Sequence, residues 1–128
     1  MALHNQLILN GYVNKPLMKP EDAIEWLSEL VNKIGMNIVQ GPYASYVTEP
    51  GNRGLTAMVM IETSHIAFHI WDEEDPALIQ FDLYTCSTLD SDLVIKDLKN
   101  KMALAEYEYM ILERAKGFNI TSSKLSTI

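Results

Sequence analysis

Apolar and polar residues alternate along several stretches of this chain. That pattern predicts strands with one face in a core. Leu55, Ala57, Val59 and Ile61 oppose Thr56, Met58, Met60 and Glu62. Between Ser64 and Trp71, Ile66, Phe68 and Ile70 point one way, and His65, Ala67, His69 and Trp71 the other. From Ala77 to Cys86, Ile79, Phe81 and Leu83 oppose Gln80, Asp82, Tyr84 and Cys86. Gln6 to Val13 alternates more loosely and predicts a first strand, and Ala105 to Arg114 predicts a last one. Met36 to Thr48 is rich in β-formers and predicts a strand interrupted near Gly41-Pro42.

Two segments change period. Pro20, Glu21 and Asp22 suit a helix start, Ile24, Leu27, Leu30, Val31 and Ile34 recur at helical spacing, and Gly35 ends the run. Asp90 or Ser91 can cap a second helix that buries Leu93, Val94, Leu98 and Met102. Residues 49–54 form a loop by composition, and 72–76 an acidic connection. From Gly117 onwards the chain is polar and predicts a loose tail. The expected organisation is one domain over residues 1–117 and a polar C-terminal tail over 118–128.

These elements predict an α+β fold. It is a two-layer α/β sandwich, with a mainly antiparallel sheet and two helices on one face. Two helices cover only one face of such a sheet. The other face holds Met, Trp and Tyr, and a second copy of the chain is its simplest cover. On that expectation Thr56, His69 and Cys86 point into the same interlayer space.

Composition narrows the function. The chain has 128 residues and a formal net charge of −7. It shows no basic stripe for a nucleic-acid partner, so none is expected. No apolar run reaches membrane-spanning length, and no membrane partner is expected. A single cysteine cannot form an internal disulfide. No basic segment followed by a long apolar run opens the sequence, so cytoplasmic residence is the default expectation.

Two of the three histidines, one of the two tryptophans and the only cysteine lie between Ser64 and Cys86. Taken alone, Cys86 reads as a small buried hydrophobe and His69 as a structural imidazole. A metal site at His65 and His69 is disfavoured, because four residues along a strand separate the rings too far for chelation, and no Cys/His cluster completes the set. There is no G-x-S-x-G elbow and no phosphate-binding glycine loop.

The combination resembles the core of the prokaryotic S-adenosylmethionine decarboxylases. That family has a hydroxyl-bearing strand, then Glu-Ser-His, a His-x-Trp-Pro-Glu turn and a strand ending Phe-Thr-Cys-Gly. Here the same order reads Gly54-Leu55-Thr56-Ala57, Thr63-Ser64-His65, His69-Ile70-Trp71-Asp72-Glu73 and Tyr84-Thr85-Cys86-Ser87. The order of elements on both sides also fits, up to about Gly117. Thr63 stands where the family has glutamate, Thr56 where it has serine, and Asp72 where it has proline. Gln6 and Asn10 stand where it tends to place histidine and acidic residues.

The resemblance implies a self-processing enzyme that converts S-adenosylmethionine to its decarboxylated aminopropyl donor for spermidine synthesis. The cut would lie between Thr63 and Ser64. The serine hydroxyl attacks the preceding carbonyl, an ester forms, and elimination leaves a dehydroalanine that hydrolyses to pyruvoyl. Ser64 would thus become the pyruvoyl cofactor, whose ketone forms a Schiff base with the substrate amine. The processing hydroxyl and histidine fall on Thr56 and His69, and the residue that returns a proton to the α-carbon falls on Cys86. Tyr46 is the nearest candidate to stack on adenine, and Glu73 falls on a substrate-binding position. The family pairs two chains into a four-layer αββα homodimer with the active sites between the sheets. Pyruvoyl enzymes that decarboxylate ornithine or arginine are an alternative, as is an unprocessed, non-catalytic homologue acting as a binding or regulatory partner.

Overall fold

The computed structural model describes residues 3–62 and 64–125. In chain order it contains β1 (Asn5–Val13), α1 (Pro20–Lys33), β2 (Ile38–Val47), β3 (Gly54–Ile61) and β4 (Ser64–Trp71). These are followed by β5 (Ala77–Thr85), α2 (Ser91–Met102), β6 (Leu104–Glu113) and β7 (Asn119–Lys124). The strands form one sheet in the order β2-β3-β4-β5-β1-β6-β7. Every neighbouring pair is antiparallel. This is the expected α+β sandwich.

The alternation in β3, β4 and β5 decides which face the helices take. Leu55, Val59, Ile66, Phe68, Ile79, Phe81 and Leu83 are all buried in the core with residues of both helices. Trp26 of α1 meets Phe68 edge-on at a ring separation of 5.3 Å and Phe81 at 6.3 Å. Burying each such side chain contributes about 1.5–3 kcal/mol. The indole Nε1 donates to Asp97 Oδ2 of α2 at 2.8 Å, and Lys33 Nζ donates to Asp97 Oδ1 at 2.7 Å. That pairing lets a carboxylate and an indole N–H sit inside the layer without an unmet hydrogen bond.

The helices begin and end for local reasons. Pro20 occupies the first turn of α1 with Glu21 and Asp22, and Gly35 follows the helix with a φ of 74°. Asp90 caps α2, its side chain accepting from the Leu93 N–H. The buried stripe of α1 is rotated from the expected one. Ala23, Trp26, Leu27, Leu30 and Val31 are buried, whereas Ile24 is 37% exposed. Ile24 and Trp26 are two residues apart and cannot share a helix face, and the indole takes the core. On α2, Val94, Leu98 and Met102 are buried as expected, together with Ile95 and Asp97, while Leu93 is only partly buried.

Two further differences matter. Residues Asn119–Lys124, expected as a loose tail, form β7 and pair with β6. All six are exposed, so no apolar periodicity marked them. On β2 the register shifts twice between Ile38 and Tyr43, around the cis Gly41-Pro42 bond. The interruption therefore resets which face each later β2 residue takes.

Gly54 opens β3 with a φ of 147°, and a side chain there would collide with the backbone carbonyl of Ile70 on β4. The close approach of these two strands requires glycine.

Candidate active site

The second face of the sheet has no helix over it. It exposes Met58 (50%), Met60 (51%), Tyr12 (41%) and Ile8 (38%), and the reactive residues lie among them. The β3–β4 register sets Thr56 opposite His69, and Thr56 Oγ1 is hydrogen-bonded to His69 Nδ1 at 3.1 Å. The pair borders a depression of ≈ 430 Å³ lined also by Asn52, Gly54, Trp71 and Gln80. A larger cavity of ≈ 670 Å³ runs along Asn10, Tyr12, Glu106 and Lys124 and contains none of the expected catalytic residues.

The second reactive group lies at the other end of β4. Ser64 shares sequence parity with Ile66 and Phe68, yet its Oγ lies 3.7 Å from Cys86 Sγ, just beyond the end of β5. Cys86 Sγ is also 3.8 Å from Nδ1 of His4, and that nitrogen is hydrogen-bonded to the Tyr84 hydroxyl at 3.0 Å. Beside them Gln6 Nε2 donates to Asp82 Oδ1 at 2.7 Å, and Arg114 Nη1 donates to Gln6 Oε1 at 3.0 Å. The Arg114 guanidinium lies 4.5 Å from the Tyr84 ring centre. His65 Nε2 sits 3.3 Å from Asp82 Oδ2.

The expected site residues thus fall into two groups on one face. Ser64 and Cys86 meet, and Thr56 and His69 meet. Ser64 and His69 are five positions apart on β4, a span of about 17 Å along a strand. His65 and His69 take different partners. Among the described residues no cluster of three or more His, Cys, Asp or Glu is arranged to hold a metal ion.

The two substrate-binding candidates lie elsewhere. Tyr46 pairs with Leu55, so it stands on the helix side of β2 and not on the face of His69. Its hydroxyl donates to Asp72 Oδ2 at 2.7 Å, and that bond holds the phenol above its ordinary range. Asp72 in turn takes Arg53 Nε at 2.7 Å. Glu73 accepts from the Arg53 backbone N–H, closing the 49–54 loop. Backbone hydrogen bonds from Gly51 and Arg53 pull its carboxyl below the usual range. Thr63 lies outside the described residues.

His4, Gln6, Tyr84, Asp82 and Arg114 were not assigned to the site by the sequence pattern. His4 precedes β1, and the pairing of Asn5 with Thr85 brings it beside Cys86. The one legible signal was the face shared by Asp82, Tyr84 and Cys86. Among the described residues no helix is long and apolar enough to cross a membrane.

A model of the S-adenosylmethionine decarboxylase family matches residues 5–115. The chain is 28% identical over 109 residues to an S-adenosylmethionine decarboxylase proenzyme of Archaeoglobus fulgidus, covering 83% of this chain and 90% of that one. It is 29% identical over 101 residues to the proenzyme of that name from Clostridium botulinum strain Langeland, covering 78% of this chain and 82% of that one.

Proposed function

Because the chain belongs to the S-adenosylmethionine decarboxylase family, we propose that it is a proenzyme that cuts itself before Ser64 and then decarboxylates S-adenosylmethionine. The product would be the aminopropyl donor for spermidine synthesis. The observation that carries this reading is the contact between Ser64 and the only cysteine of the chain, at 3.7 Å on the open face.

The residues fit a pyruvoyl group made from Ser64. The hydroxyl is turned to the open face and not into the core, beside a thiol that can hold a proton. Once formed, the pyruvoyl ketone supplies the electron sink that decarboxylation needs. Cys86 then holds at Sγ the proton destined for the substrate α-carbon. Thr56 and His69 form a hydroxyl–imidazole pair of the kind that moves a proton during self-cleavage. At about 17 Å along β4, that pair cannot reach Ser64 of the same chain. A homodimer with the open faces together removes the difficulty. It brings Thr56 and His69 of one chain to Ser64 and Cys86 of the other, and it covers the exposed methionines.

Intact mass and denaturing electrophoresis test the cleavage. The processed chain gives two fragments, the second beginning with a pyruvoyl group, while Ser64→Ala stays full length and releases no carbon dioxide. A wild-type chain that remains intact after long incubation, and is inactive, removes the reading and leaves a non-catalytic homologue. Carbon dioxide release from ornithine or arginine, with none from S-adenosylmethionine, moves the substrate to a basic amino acid. Mixing tests the dimer. His69→Ala and Ser64→Ala chains together form one complete site per mixed dimer, so cleavage of the His69→Ala chain should return. No return at any ratio assigns His69 to its own chain.

A further inference from the structure

The proton chemistry of Cys86 has a partner in its own chain that the two expected reactive pairs do not include. His4 Nδ1 lies 3.8 Å from Cys86 Sγ, while His65 and His69 meet Asp82 and Thr56 instead. The backbone of His4 is held on both sides. Its backbone N–H donates to Glu113 Oε1 at 3.3 Å, and its carbonyl accepts from the Arg114 N–H at 2.8 Å. The Tyr84 hydroxyl lies 3.0 Å from the same Nδ1, and the Tyr84 ring stacks on the imidazole with centres 6.4 Å apart. His4 itself is half-buried, so water reaches it.

Resting on the decarboxylase reading above, we propose that His4 is a positioning residue that replenishes the proton Cys86 delivers to the substrate. The balance is simple. Carbon dioxide leaves its bonding electron pair with the substrate. The S–H bond of Cys86 breaks as a C–H bond forms at the α-carbon. The thiolate takes the Nδ1 proton of an imidazolium at His4, and water returns a proton to the resulting imidazole, leaving hydroxide in solvent. The proton thus passes from His4 Nδ1 to Cys86 Sγ across the 3.8 Å that separates them.

Titratable groups pack around His4 from the neighbouring strands. From β5 and its end they are Tyr84 and Cys86, and against the Tyr84 ring stands His65 of β4, bonded to Asp82. From the end of β6 they are Glu113 and Arg114.

The single cysteine makes a direct test possible, because iodoacetamide labels one thiol only. Alkylation rate is followed from about pH 6 to about pH 10 on the full chain, the His4→Gln variant and the Tyr84→Phe variant. At about pH 6.5 the wild-type thiol should react roughly fivefold faster than that of His4→Gln, with the gap closing at the alkaline end, where the thiol ionises without help. Tyr84→Phe should keep the neutral-pH rate. Superimposed wild-type and His4→Gln profiles overturn the proposal. A constant ratio at every pH also overturns it, since that is altered access and not proton transfer. Loss of the neutral-pH rate in Tyr84→Phe alone transfers the role to the phenol and overturns it as well. In turnover, His4→Gln should lower kcat about tenfold or more while leaving KM and self-cleavage near wild type. If neither chain releases carbon dioxide from any candidate amino acid while the alkylation gap persists, the decarboxylase reading falls and the His4–Cys86 pair stands.

Discussion

Phe68 and His69 are neighbours in sequence and stand on opposite faces of the same strand. Phe68 is fully buried against Trp26 of α1, whereas His69 is exposed and bonded to Thr56. The same division runs through β3, β4 and β5. One face is apolar, covered by two helices and closed over the paired carboxylate of Asp97. The other holds two sets of proton-handling groups among methionines and tyrosines with nothing above them in one chain. Strand alternation lets one short sequence serve both demands, because each face takes every second residue. Stability and chemistry are thus separable by substitution, residue by residue.

The sharpest test of that separation is His69→Ala. Self-cleavage should slow by roughly 10²–10⁴-fold, the usual range for losing an acid–base group, while Tm barely moves. A Tm fall as large as that of a core substitution would mean the open face is also part of the fold. Phe68→Ala is the mirror case. It should cost about 3–5 kcal/mol in urea unfolding, while the folded fraction still cuts itself at a rate close to wild type. Asp97→Ala should cost less, about 1–3 kcal/mol, because it strands the buried indole N–H of Trp26. Unfolding curves indistinguishable from wild type would show that water or another acceptor replaces the carboxylate. The smallest effect concerns Glu73, which is exposed. Its folded carboxyl is held below its ordinary 4.5, so the stability it adds is present above that value and is lost as pH falls through the lower folded one. Glu73→Gln should lower Tm slightly at neutral pH and converge with wild type in acid, where the native carboxyl is protonated too. A Tm difference that is the same in acid as at pH 7 would contradict the assignment.

How much of this was legible depended on whether a residue had a buried face. The bounds of β4, the cap at Asp90 and the core parities of β3 to β5 all follow from local pattern, because burial imposes a period. Strand β7 has no buried residue and no period to read. Tyr46 has β-forming neighbours, but the register shifts near Gly41-Pro42 decide its face, and alternation counted from either side cannot report a shift between them. His4 is 82 residues from Cys86 in the chain, and only the β1–β5 register unites them. The order of Ser64, His69 and Cys86 was visible. Their division into two groups on one surface required knowing which strand ends lie side by side.

The glycine at the head of β3 has a consequence for how this site can change over time. The hydroxyl at 56 can be exchanged for a chemical equivalent, since a serine there would also present a hydroxyl to the imidazole that Thr56 now meets. Gly54 has no equivalent. Any side chain there prises β3 from β4 and carries the hydroxyl at 56 away from His69. The heritable constraint on this pair therefore falls most heavily on a residue with no functional group.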